Sequence, residues 1–141
     1  MPKIKNSKII HYNAKSLYNV VSDIARYPEI LKYIQSVRIL KQSKQDIQAE
    51  VTVGVGPLHF SYECTVLLQP SKQIDVVATS GPFKHLTAQW VFTPLSKNST
   101  KIDYSLDSQF NSALMELTAG AIFSQQLHYS VSAFEDFLRK S

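Results

Sequence analysis

The sequence predicts an α+β fold in which a curved antiparallel sheet of about six to seven strands grips one long C-terminal helix. Three observations carry this reading. A strand and two short helical segments precede Ile34; a period-two stretch broken by turn residues runs from Ile34 to Phe110; and a proline-free tail with helical spacing follows from Ser112 to Lys140.

Each element has its own signal. Lys3 to Tyr12 carries the β-branched and aromatic residues Ile4, Ile9, Ile10 and Tyr12, which favour a first strand. Asn13 offers an N-cap, and Leu17, Val20, Val21 and Ile24 then fall at i, i+3, i+4 and i+7, the stripe of a helix buried on one side. Pro28 pushes Tyr27 out of the α region, so the first helix is expected to stop or restart there, with a short second turn through Glu29 to Leu31. Turn clusters at Ser43–Asp46, Gly54–Pro57, Pro70–Lys72, Ser80–Pro82 and Ser96–Ser99 then separate about six strands.

Alternation assigns the faces of those strands. Ile47, Ala49, Val51 and Val53 share one face; Leu58, Phe60, Tyr62, Cys64 and Val66 share another; Leu86, Ala88, Trp90 and Phe92, and Ile102, Tyr104, Leu106 and Phe110, do likewise. One side of the sheet is therefore apolar and the other wet. The tail holds Leu114, Leu117, Ala121, Phe123, Leu127, Val131, Phe134 and Leu138 at helical intervals, and reads as a single helix of roughly 40 Å that crosses the sheet. Where a bent sheet and its helix do not touch, a cavity remains.

Composition bounds the function. A length of 141 residues fits one domain, 1–141, and 44% apolar with 18% charged residues excludes wholesale disorder. No apolar run reaches the ~18 residues that span a bilayer, and the short basic start Met1–Asn6 leads into no signal-peptide core, so a cytoplasmic protein is expected. Fifteen Lys and Arg against eleven Asp and Glu give +4, which either favours an anionic partner, such as a lipid surface or RNA, or serves solubility alone. The basic residues are scattered with no run of five, and nothing points to DNA.

Catalytic and metal signals are weak. His11, His59, His85 and His128 lie at none of the spacings that pair metal ligands, and Cys64, the one cysteine, reads as a small buried hydrophobe rather than a nucleophile. Asp103 and Asp107 share the outward face of a strand about 13 Å apart, too far for a shared-proton or glycosidase pair. No nucleophile elbow, P-loop or dinucleotide fingerprint is present, so no catalytic residue, metal site or required cofactor is expected. The unusual feature is an inward aromatic set, Phe60, Tyr62, Trp90, Phe92, Tyr104 and Phe110. Either it packs a core or it walls an apolar ligand pocket with polar tips.

Two motifs add a resemblance. Asp23-Ile24-Ala25-Arg26-Tyr27-Pro28-Glu29-Ile30-Leu31 is similar to D-x-x-x-Y-P-x-F-L. Gly81-Pro82-Phe83-Lys84-His85-Leu86 with Trp90-Val91-Phe92-Thr93-Pro94-Leu95 is similar to G-P-F-K-x-L…W-x-F-x-P-L. Both resemble the coenzyme Q-binding START-domain family, which includes a bacterial ribosome-association toxin and once carried the label of oligoketide cyclases. The likeness runs from about Lys3 to Phe137 and takes in Leu106-Asp107…Phe110. Ile30 departs from the family's Phe, and Lys32-Tyr33 from its frequent Pro-Trp.

The resemblance implies a helix-grip (START/Bet v 1-like) fold with a hydrophobic tunnel that binds ubiquinone or a related polyprenyl quinone. It makes the chain a quinone carrier that supports respiration, peripheral at an anionic inner membrane of a bacterium. Phe60, Tyr62, Trp90, Phe92, Tyr104, Leu106, Phe110, Leu114 and Leu117 are then expected to line the tunnel. Tyr27, Pro28, Ile30, Leu31, Tyr33, Phe83 and Lys84 are expected at its mouth. The alternative is a translation inhibitor that binds the large ribosomal subunit. A polyketide cyclase-like enzyme comes third, because no acid/base pair is visible inside.

Overall fold

A computed structural model describes residues 3–55, 57–120, 125 and 129–140. Seven antiparallel strands form one sheet: β1 (Lys3–Ile10), β2 (Ile34–Gln42), β3 (Asp46–Val55), β4 (Leu58–Gln69), β5 (Gln73–Ala78), β6 (Phe83–Ser96) and β7 (Ser99–Phe110). Their order is β1-β7-β6-β5-β4-β3-β2, a meander from β2 to β7 whose far edge is closed by the first strand. Register shifts in β2 and β6 bend the sheet, the last of them beside Pro94, where a residue without an N–H is tolerated.

The apolar phases identified above face one way. Ile47, Ala49, Val51, Val53, Cys64, Val66, Leu86, Trp90, Phe92, Ile102, Tyr104, Leu106 and Phe110 are all buried. The helices cover that face. Helix α1 (Ala14–Ser22) begins where the Asn13 side chain accepts from the Ser16 amide at 2.8 Å, and it buries Leu17, Tyr18 and Val21.

Pro28 acts differently from expectation. The first helix ends at Asp23, a single 3₁₀ turn covers Ile24–Arg26, and Pro28 sits in the first turn of α2 (Tyr27–Ile30). The physical reason is that a first-turn N–H has no intrahelical acceptor, so proline there loses nothing.

The tail also departs from a single rod. Ser112 caps the short α3 (Ala113–Met115), a wide π-helical turn spans Glu116–Gly120, and a separate α4 runs over Ser130–Lys140. The expectations for Ala121, Phe123 and Leu127 fall outside the described residues. The wide turn is tied to the sheet, because the Phe110 amide donates to Glu116 Oε1 at 2.6 Å. At eleven residues α4 is roughly 16 Å long and covers only part of the sheet. It packs on α1, α2 and β1, buries Val131 and Phe134 completely, and is clamped where Lys8 Nζ donates to Glu135 Oε1 at 2.6 Å. Among the described residues no helix is long and apolar enough to cross a membrane.

Candidate functional site

Between the concave face of the sheet and the helices lies a cavity of about 70 Å³. Period two puts its wall in place: Tyr62, Cys64 and Val66 from β4, Leu86, Ala88 and Trp90 from β6, and Tyr104 and Leu106 from β7. Tyr27 from α2, Leu31 and Tyr33 from the turn after it, and Ser130 from the first turn of α4 close the other side.

Aromatic contacts fix this wall. Trp90 and Tyr104 are cross-strand partners with ring centroids 4.3 Å apart. Phe134 of α4 stands edge-on to Trp90 at 5.4 Å and to Tyr27 at 5.3 Å, so one buried ring links helix, α2 and sheet. Tyr62 meets Phe83 at 5.3 Å and thereby joins the cavity to a second cluster, in which Phe83 stacks on Phe110 at 4.7 Å with Phe60 edge-on to both. Gly81 makes that cluster possible. Its φ of +109° suits glycine, and a Cβ there would lie 2.5 Å from Tyr62 Cβ.

The sequence-assigned lining residues therefore divide. Tyr62, Trp90, Tyr104 and Leu106 line the cavity. Phe60 and Phe110 instead fill the neighbouring cluster, and Phe92 packs against Tyr18 of α1 at 5.8 Å. Leu114 and Leu117 lie in the helical stretch 113–120 but are 69% and 85% exposed and do not line the cavity. Of the mouth residues, Tyr27, Leu31 and Tyr33 line the cavity; Pro28 and Ile30 are half-buried outside its wall, Phe83 belongs to the second cluster, and Lys84 is exposed at a bulge in β6.

Sequence reasoning passed over Ser130 and left Cys64 as plain core. Ser130 had a signal, since it lies four residues before Phe134 on the apolar stripe of the tail. A serine on a buried face needs a partner. That partner is the Tyr33 hydroxyl at 3.1 Å.

The cavity is apolar with donor tips. The Tyr27 hydroxyl donates to the Val21 carbonyl. Among the described residues no acceptor meets the Tyr104 hydroxyl or the Trp90 indole N–H, although the two residues are 3% and 5% exposed. Burial pushes the phenols of Tyr27, Tyr33, Tyr62 and Tyr104 above their usual range and raises the Cys64 thiol to about 11. All five groups are thus neutral at physiological pH, and no carboxylate or imidazole is among the described wall residues. Such a wall can solvate a neutral, acceptor-bearing guest.

Residues 10–135 match the sequence model of a family described as polyketide cyclase / dehydrase and lipid transport. The chain is similar to the ribosome association toxin RatA of Vibrio cholerae, 31% identical over 134 residues that cover 95% of this chain and 93% of that protein. It is also similar to the mitochondrial coenzyme Q-binding protein COQ10 homolog B of Xenopus laevis, 27% identical over 133 residues, 92% of this chain and 54% of that one. In three dimensions it resembles a START superfamily protein from Mycobacterium smegmatis, with a TM-score of 0.82 at 18% identity over 98% of this chain and 97% of that one, a likeness of fold alone.

Proposed function

This chain belongs to the polyketide cyclase / dehydrase and lipid transport family, and we propose that it binds a hydrophobic small molecule, ubiquinone or a related polyprenyl quinone, and carries it for respiratory electron transport. The observation that carries this reading is the pair of buried donors, Tyr104 hydroxyl and Trp90 N–H, which belong to two residues of the cavity wall and meet no acceptor among the described residues. An unsatisfied buried donor costs about 1–3 kcal/mol, a cost that a ligand oxygen removes. A quinone ring offers two such oxygens and a flat face that suits the neighbouring indole.

Energetics place selectivity in that ring. Each buried CH₂ of a prenyl tail contributes about 0.8 kcal/mol relative to water, yet the bilayer solvates the tail as well as protein does. Transfer from membrane to protein therefore gains little from the tail, and the head group decides. The carrier reading includes transient contact with an anionic membrane surface, to which the net charge of +4 is suited.

The test is extraction of the purified protein with organic solvent, together with uptake from quinone-loaded vesicles. The expected result is quinone in the extract and quenching of Trp90, the only tryptophan, on mixing with vesicles. No lipid in the extract and no quenching would remove the carrier reading.

A second reading is favoured by the toxin name of the relative at 31% identity: an inhibitor of translation that binds the large ribosomal subunit through basic surface. Phosphate contacts release counterions, so binding of this kind weakens steeply with salt. Cosedimentation with large subunits at low salt, lost as salt rises, supports it; absence of the protein from the ribosomal pellet at low salt opposes it. A cyclase activity ranks last, for want of an acid/base pair among the described wall residues.

A further inference from the structure

Leu31 and Tyr33 stand in two walls at once. Both line the inner cavity, and both line an outer groove of about 400 Å³ whose other walls include Ile30, Tyr129, Ala133 and Phe137. The facing side of this partition is the start of α4: Ser130 looks into the cavity, while its neighbour Tyr129 lines the groove and is exposed. The hydroxyls of Tyr33 and Ser130, in residues 7% and 1% exposed, meet across the partition at 3.1 Å. The backbone of the 31–33 turn is anchored elsewhere, with the Leu31 amide donating to the Tyr27 carbonyl at 2.8 Å and the Gly54 amide to the Tyr33 carbonyl at 2.9 Å. These bonds hold the main chain of the turn on α2 and β3 independently of the Tyr33 side chain.

We propose that this groove is the entry vestibule of the cavity and that the Tyr33–Ser130 hydrogen bond is the bolt of its inner door, an inference that rests on the reading of the cavity as a ligand site. Size requires a door. A cavity of about 70 Å³ lies far below the ~300–1,000 Å³ of pockets that hold drug-sized ligands. The groove has the missing room and apolar side chains for a prenyl chain, and its charged residues balance, Lys32 and Lys140 against Glu29 and Asp136. Trp90 and Tyr104, whose donors meet no acceptor among the described residues, line the cavity and are not among the groove's described lining residues. The ring therefore enters first and the tail remains in the vestibule.

Two readouts on Tyr33→Phe and Ser130→Ala test the door. Cys64 is the one cysteine and lines the cavity, so its labelling rate by an uncharged aromatic disulfide reports opening without any ligand. Stopped-flow quenching of Trp90 by ubiquinone with two isoprene units reports entry and release. Loss of one neutral hydrogen bond shifts an opening equilibrium about two- to tenfold. Labelling should accelerate by that factor in both variants, with a urea dependence much shallower than that of global unfolding. Because the tail passes through the door and the bolt is open in the loaded protein, the variants should speed entry by that factor, leave release unchanged and lower Kd correspondingly.

Labelling and quenching rates equal to wild type would overturn the door and leave the ligand site standing. A weaker Kd with unchanged labelling would make Tyr33 a ligand contact and overturn it as well. Faster labelling with no quenching in any protein would leave the door and remove the quinone. Labelling that tracks global unfolding in both variants would count against a local door.

Discussion

Tyr104 holds a phenol in an apolar wall with no acceptor among the described residues, an arrangement that folding alone disfavours. Deleting the hydroxyl with Tyr104→Phe should leave the urea midpoint unchanged or raise it by up to about 1 kcal/mol of stability, because an unsatisfied donor is removed with the ring kept. The same change should weaken quinone binding about threefold or more in a Trp90 quenching titration. A variant that loses stability and keeps its affinity would show that the hydroxyl serves packing. At this scale the sequence was partly legible. Period two located Tyr62, Trp90, Tyr104 and Leu106 on the cavity wall, but it cannot tell a ring that borders a void from one, such as Phe60 or Phe92, that fills it. That distinction depends on which helix covers each strand, and so on contacts distant in sequence.

The strands were legible because alternation and turn residues are local signals, and the Asn13 cap likewise. The helical character of the tail was legible too, but not which of its apolar residues are covered: Leu114 and Leu117 have helical spacing and are exposed, and the Glu116 side chain that accepts from the Phe110 amide is a contact that periodicity does not register. Gly81-Pro82-Phe83 shows the opposite case, a motif legible as a pattern whose purpose is geometric. With φ at +109° and Tyr62 directly above it, Gly81 seats Phe83 on Phe110. Gly81→Ala should therefore cost about 1–3 kcal/mol in urea denaturation. An unchanged midpoint would mean that the turn adopts another backbone conformation at no cost.

For the whole molecule, neutrality of the inner wall has a consequence for alkaline stability. Cys64 titrates near 9.0 when free and is raised to about 11 by burial, and the inner tyrosines are raised in the same direction. Below pH 9 both states keep these protons and stability is insensitive to them. Above it the unfolded chain releases protons that the folded chain retains, so the unfolded state binds fewer and stability falls as pH rises. The urea midpoint should decline steadily from pH 9 to pH 11, and decline less in Cys64→Ala. A flat midpoint across that window would indicate that water reaches the wall.

The α+β architecture, its seven strands and the family were all accessible from sequence. The size of the cavity, about 70 Å³, was not, since it depends on how closely residues distant in sequence approach one another across the fold. The central claim is that this space opens to hold the ring of an apolar guest, and a crystal structure with bound ubiquinone carrying two isoprene units tests it most directly. The account predicts a ring oxygen within hydrogen-bonding reach of the Tyr104 hydroxyl or the Trp90 N–H, in a cavity widened by displacement of Tyr33. Ligand bound elsewhere on the surface, with the cavity still closed, would contradict it.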